Sequence, residues 1–316
     1  MKPSNIGGQA VMEGIMMKNG SNYAVAVRKP NGEIEVQKQK CTESKLVSRC
    51  KKVPFLRGVF NFVDSLVLGM KTLSYSASFY EEEEEQKDLT EEEKKKAEKR
   101  DHLIMGITSV VSIVVAMVLF MVMPYAISNL FHSLVPSRIL KTVIEALVRI
   151  GFFVVYILLI SQMEDIKRVF MYHGAEHKCI NCIEHGLTLN VENVRKSSKH
   201  HKRCGTSFLF FVLLVSIVVC FFITAESQIL RVCIRIALLP VIAGISYECI
   251  RLAGRSEHWL VEWMSKPGMA LQKLTTKEPT DDMIEVAICA VEEVFDWKTY
   301  LKENFEVETD DSERSL

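Results

Sequence analysis

Leu103-Ile-Met-Gly-Ile-Thr-Ser-Val-Val-Ser-Ile-Val-Val-Ala-Met-Val-Leu-Phe-Met-Val-Met123 is a run of 21 residues without one charge. At about 1.5 Å per residue, a helix of that length covers the roughly 30 Å hydrocarbon core of a bilayer. A helix satisfies all its backbone polar groups within one segment, as lipid requires. The run therefore predicts a membrane-spanning helix, closed by Pro124.

Three further apolar runs follow. A second span is expected at 143–160, a third at 208–224 and a fourth at 229–247. Glu145 and Arg149 open the second as an i,i+4 pair. Arg231 and Arg235 enter the fourth near one end, where they can snorkel or meet Glu145. The expected fold is mainly α: a multi-pass membrane protein of four transmembrane helices, with a small N-terminal β-hairpin and amphipathic interfacial helices. Lys and Arg crowd three places: the segment before the first span, the connection between the second and third, and the start of the tail. The positive-inside rule then puts both termini and that connection on the cytoplasmic side.

Formal net charge is zero, so bulk attraction to nucleic acid is not expected. The nine cysteines form no disulfide framework, which fits a reducing cytoplasmic face. Residues 1–20 lack the continuous apolar core of a cleavable signal.

The polar parts read as follows. Gly7, Gly8 and Gly14 suggest a buried N-terminal turn; a sharper alternative has Glu13 supply a polar group to a functional site. Residues 23–28 and 33–39, about Pro30-Asn31-Gly32, make a hairpin. Lysines and arginines from Lys38 to Lys52 suit anionic lipid headgroups. Residues 54–79 form an apolar helix in which Arg57, Asp64 and Lys71 share one face, as in a helix lying on the bilayer. Residues 81–100 are a charged helix or linker. After the last span, a short helix rests on Trp259 and Trp263 and is broken at Pro267-Gly268. An amphipathic helix then begins within 274–288, with Thr280 as N-cap and a stripe of Met283, Ile284, Ala287, Ile288, Val291 and Val294. An acidic tail closes the chain from 305. The expected divisions are 1–52, 53–80, 81–101, 102–248 with a cytoplasmic His/Cys-rich loop at 162–207, and 249–316.

Five of the eight histidines lie between His173 and His201. His173-Gly-Ala-Glu176-His177 spells H-x-x-E-H, which on a helix puts three side chains on one face. Two imidazoles can then bind one divalent metal ion, zinc above all, with Glu176 as general base on a water. Glu184, His201 and Cys204 are available to complete the shell. A competing reading joins Cys179-x2-Cys182 to His201-x2-Cys204 as a closed structural zinc site. A third makes Cys204 a nucleophile beside His201 or His177. The bland alternative is interfacial histidines that only meet headgroups. Lys199-His-His-Lys-Arg-Cys-Gly205 is a positive-inside signal that could also hold an anionic group.

The chain resembles the YqhQ family of bacterial membrane proteins, described as predicted metal-dependent enzymes. The resemblance rests on Gly7-Gly-Gln-Ala-Val-Met-Glu-Gly14, Pro54-Phe-Leu-Arg-Gly58, His173-Gly-Ala-Glu-His-Lys178, Leu187-Thr-Leu-Asn-Val-Glu-Asn-Val-Arg195, Arg203-Cys-Gly-Thr-Ser-Phe208, Gly244-Ile-Ser-Tyr-Glu248 and Leu274-Thr-Thr-Lys-Glu-Pro279. It spans nearly the whole chain and implies a multi-pass protein of the bacterial plasma membrane. The family pattern has His-Pro-Arg-Cys where this chain has His201-Lys-Arg-Cys204, and it does not demand a cysteine at 179. That weakens the four-ligand reading and favours His173, Glu176, His177, His201 and Cys204. The expected function is metal-assisted hydrolysis at a cytoplasmic site. The alternative is a non-enzymatic membrane scaffold, a metal-binding protein or a transporter subunit. The expected spans hold few ionisable groups beyond Arg235, which weighs against transport.

Overall fold

The computed structural model describes residues 2–41, 44–80, 91–130, 137–201, 204–223, 227–254 and 258–307. Strands β1 (Ile6–Val11), β2 (Gly14–Asn19), β3 (Asn22–Arg28) and β4 (Ile34–Lys40) pair in sequence order as one antiparallel sheet. β3 and β4 are the expected hairpin. The glycine-rich stretch is not a buried turn: it is a second hairpin, with Gly8 opposite Met17 and Val11 opposite Gly14. Glu13 turns it with a φ of 48°.

The first helices are α1 (Lys45–Cys50), α2 (Leu56–Ala77) and α3 (Glu91–Met117). A π-helical turn at Val118–Val122 leads into α4 (Met123–Leu130). Then come α5 (Arg138–Ile160), α6 (Glu164–Glu184), α7 (Val191–Lys196), α8 (Gly205–Phe222), α9 (Gln228–Ala237) and α10 (Leu239–Ala253). The last are α11 (Trp259–Thr275), α12 (Asp281–Val294) and α13 (Trp297–Phe305).

Three helical stretches are long and apolar enough to cross a membrane: Gly106–Ser128, Leu140–Ile160 and Gly205–Phe222. α9 and α10, bent by 44° at their junction, make a fourth if the pair is counted as one. Pro124 does not close the first stretch. It sits in the first turn of α4, where its missing N–H matters least, directly after the π-helical turn. Pro267 likewise does not break α11, which runs on to Thr275.

The chain forms two compact units, one of Met1–Tyr80, Leu158–Val215 and Pro240–Leu316, the other of Glu81–Ile157 and Ser216–Leu239. In the first unit the sheet is covered on both faces. Ile6, Ile15, Met17, Ala24 and Ala26 pack into a core with α6 and α12. Val11, Met16, Tyr23, Val25 and Val27 turn the other way, toward Leu68 and Tyr75 of α2. The stripe expected on α12 is buried as predicted. Thr280 caps it by position alone, since its side chain makes no capping hydrogen bond.

The charges of α2 find protein partners within the same unit. Arg57 pairs with Glu248, Asp64 with Lys51, and Lys71 donates to the Tyr23 hydroxyl at 3.1 Å. Val63, Leu66, Val67, Met70 and Leu73 of the same helix are exposed, as are Trp259 and Trp263 on α11. In the second unit, Arg235 meets Glu145 rather than snorkelling. The acidic run at 81–85 and the tail beyond 307 lie outside the described residues; α13 precedes that tail and was not expected.

Candidate metal centre

α6 carries the H-x-x-E-H motif. Glu164 and Asp165 lie in its first turn, where acidic groups favour the helix dipole. From Gly174 to Glu184 the helix is buried on every side, so its polar side chains need internal partners. They find them in the returning chain. Lys178 donates to the carbonyls of Arg195 at 2.8 Å and Ser197 at 2.9 Å and pairs with Glu278 at 2.6 Å. Asn181 donates to the carbonyls of Ser198 at 2.6 Å and His200 at 3.0 Å. These contacts lay residues 195–201 along α6 and bring Cys204 back to the motif.

Glycine inside the motif has a steric reason. A Cβ on Gly174 would overlap the carbonyl oxygen of Lys277. The close approach lets the Lys277 N–H donate to the Phe170 carbonyl at 2.9 Å. Gly8 of β1 does the same for the carboxylate, since a Cβ there would stand 2.9 Å from Cγ of Glu176.

The two histidines are held alike. His173 Nδ1 donates to the Thr275 carbonyl at 3.0 Å, and His177 Nδ1 donates to the Lys199 carbonyl at 2.7 Å. A carbonyl only accepts, so each Nδ1 carries the proton and each neutral ring keeps its lone pair on Nε2. Their rings lie 4.4 Å apart. His173 Nε2 stands 3.1 Å from Sγ of Cys204. Among the described residues, His173, His177 and Cys204 form a group whose ligand atoms all lie within 4.8 Å of one another. Glu176 is buried at the rim of this group, with Oε2 3.9 Å from His173 Nε2.

Cys204 immediately precedes α8, and the Thr206 N–H points at its sulfur at 3.4 Å. Thr206 and Thr275 join their hydroxyls at 3.0 Å. Gln272 brackets His201, accepting from its N–H at 3.0 Å and donating to its carbonyl at 2.7 Å. Thr275 and Gln272 thus tie the end of α11 to both arms of the centre. They act largely through main-chain contacts, which leave no spacing signature to read in advance.

The other candidates are placed differently. Glu184 and His201 pair with each other at 3.3 Å, and the second oxygen of Glu184 accepts from the N–H and hydroxyl of Ser4 at 2.7 and 2.8 Å. The His201 ring lies 5.9 Å from that of His177. Cys179 and Cys182 belong to the apolar core against the sheet. Burial pushes the Cys182 thiol up to about 12 and Cys179 well above the usual thiol range. Neither thiol belongs to the group formed by His173, His177 and Cys204. Glu13 is 3.3 Å from the Tyr172 hydroxyl and paired with Arg168, beside the motif rather than in the ligand group. His185 donates from Nδ1 to the Asn181 carbonyl at 2.7 Å, as part of the helix end. Lys202 and Arg203 of the basic run lie outside the described residues.

The family profile described as "Protein of unknown function (DUF1385)" matches residues 53–297, which include α6 and Cys204. The chain is 35% identical over 304 residues to the Bacillus subtilis (strain 168) protein named "Uncharacterized protein YqhQ", across 96% of each chain. No solved structure matches it. With a profile match over most of its length and this near full-length relative, the chain belongs to the DUF1385 family.

Proposed function

We propose that this protein is an integral membrane, metal-dependent hydrolase with its site at the cytoplasmic membrane surface. His173, His177 and Cys204 hold one divalent ion, zinc by the chemistry of two imidazoles and a thiolate. The observation that carries this reading is the matched pair of Nδ1–carbonyl hydrogen bonds. They leave each ring with its lone pair on Nε2, that of His173 turned to the Cys204 sulfur, the usual outer-shell arrangement of metal-binding histidine. A bound ion supplies Lewis acidity and makes water a nucleophile near neutral pH. Glu176 takes the proton from the attacking water and returns it to the leaving group. With three protein ligands rather than four, the set would suit a catalytic ion better than a closed structural one.

Membrane attachment follows from the three or four apolar helices. The distribution of Lys and Arg supports a cytoplasmic side for both termini and α6. The exposed apolar faces of α2 and α11 then rest on the bilayer, and the basic segment around Lys51 and Lys52 meets anionic headgroups.

A second reading rests on the 3.1 Å contact between His173 and Cys204. Without metal, a thiol oriented this way on an imidazole is a nucleophile with its base. One experiment separates the two. Bound metal per chain is measured on purified wild type and on His177→Ala, Cys204→Ser and Cys179→Ala after zinc is supplied. The hydrolase reading expects about one zinc in wild type and Cys179→Ala and none in the other two. A metal-free wild type supports the thiol reading and sinks the metal centre. Loss confined to Cys179→Ala restores the structural zinc site instead.

A further inference from the structure

A separate cluster lies in the second unit. Glu145 and Arg149 on α5 and Arg235 on α9 are all buried, with exposures of 8%, 6% and 3%. The one carboxylate is shared. Glu145 Oε1 accepts from Arg149 Nη2 at 2.7 Å and from Arg235 Nη1 at 2.6 Å, and Oε2 accepts from Arg235 Nη2 at 3.0 Å. Arg149 Nη1 donates to the Ser216 hydroxyl at 3.2 Å.

Among the described residues the charge does not balance. Two guanidinium groups, always protonated, face one carboxylate. Tyr125 adds no negative charge: its ring centroid lies 5.1 Å from Arg235 and 5.5 Å from Arg231, and its hydroxyl accepts from Arg231 at 3.3 Å. The Nε atoms of Arg149 and Arg235 are both buried and have no hydrogen-bond acceptor among the described residues. Both cations grip the same Oε1, so their guanidinium groups meet at one oxygen atom. An uncompensated charge among apolar helices is costly, so such groups usually mark a site rather than a brace. Unpartnered guanidinium N–H donors beside excess positive charge suit the oxygens of a phosphate or carboxylate.

We propose that Arg149 and Arg235 together hold one phosphate group, from an anionic lipid headgroup or from solution, which completes the charge of the cluster. Glu145 positions the two guanidinium groups and limits how tightly the anion is held. This site is independent of the metal centre.

The test uses the full chain, treated with chelator so that phosphate cannot bind at a metal, and delipidated in detergent. Native mass spectrometry follows titration with phosphatidylglycerol, phosphatidylcholine and inorganic phosphate. Wild type is expected to retain one phosphatidylglycerol about tenfold more tightly than phosphatidylcholine. Arg149→Gln loses that preference. Glu145→Gln removes the competing negative charge and strengthens retention severalfold. Saturable inorganic phosphate with the same variant pattern supports the site and identifies its ligand as a dissolved anion. The proposal is overturned if neither anion binds better than phosphatidylcholine, or if Arg149→Gln binds like wild type. Should Arg149→Gln fail to fold, Glu145→Gln decides: unchanged or weaker retention overturns the proposal.

Discussion

Glu13, at the turn between β1 and β2, grips the guanidinium of Arg168 with both carboxylate oxygens. The contact ties the first hairpin to the second turn of the motif helix, and the Tyr172 hydroxyl joins it at 3.3 Å. Its hydrogen bonds raise the pKa of Arg168. Arg168 is about half exposed, so solvent screens the pair and its worth falls to about 1 kcal/mol. Glu13→Ala is expected to lower thermal stability by that amount and to leave bound metal unchanged. Loss of metal in this variant would show that Glu13 reaches the centre after all.

Gly174 and Gly7 make a paired test of packing. A Cβ at 174 has no room against the Lys277 carbonyl, whereas a Cβ at 7 meets nothing within 4 Å. Gly174→Ala should cost about 2–3 kcal/mol through overpacking. It should also release metal, because it pushes away the chain whose Thr275 carbonyl orients His173. Gly7→Ala should change melting by little. Equal melting shifts for the two variants would contradict the packing.

Thiol reactivity separates the three buried cysteines nearest the motif, Cys179, Cys182 and Cys204. Cys179 and Cys182 are held protonated by burial, while Cys204 faces an imidazole and a helix N-terminus. In chelator, alkylation followed by peptide mass spectrometry should modify Cys204 before Cys179 and Cys182. Added zinc should protect it. Faster modification of Cys179 or Cys182 would count against this assignment.

Acid stability should carry a mark from Glu278. Desolvation pushes its pKa up, but hydrogen bonds from Lys178 and Lys199 outweigh this and leave the folded value below the usual 4.5. A group depressed in the folded state contributes stability above its unfolded pKa and loses it as pH falls through the folded value. The loss therefore falls below about pH 4.5. Glu278→Gln should weaken the fold at neutral pH and flatten the acid arm of a melting-temperature profile. An unchanged acid arm would remove Glu278 from that role.

The apolar helices were readable because charge-free runs of that length have few other uses, and the motif was readable because i, i+3, i+4 spacing fixes a helix face. The first hairpin was not. Ile15, Met16 and Met17 are buried in succession because Met17 faces α6 and α12 while Met16 faces α2. A sheet covered on both faces erases the alternation that identifies a strand. Pro124 and Pro267 misled for a related reason: proline ends a helix only where no π-turn or packed neighbour relieves it. The hold of Thr275 on His173, across 102 residues, is a main-chain contact and leaves no trace in residue type.

The first unit is stitched from three separated stretches, and α12, near the end of the chain, closes the sheet made at its beginning. During synthesis the strands emerge first, yet the cover that α12 gives to one of their apolar faces comes only when almost the whole chain has left the ribosome. Contacts so distant in sequence form slowly and leave sticky edges meanwhile. The centre on α6 is thus a late product of synthesis, since α11 and its Thr275 carbonyl arrive only after the apolar helices that precede them have been made.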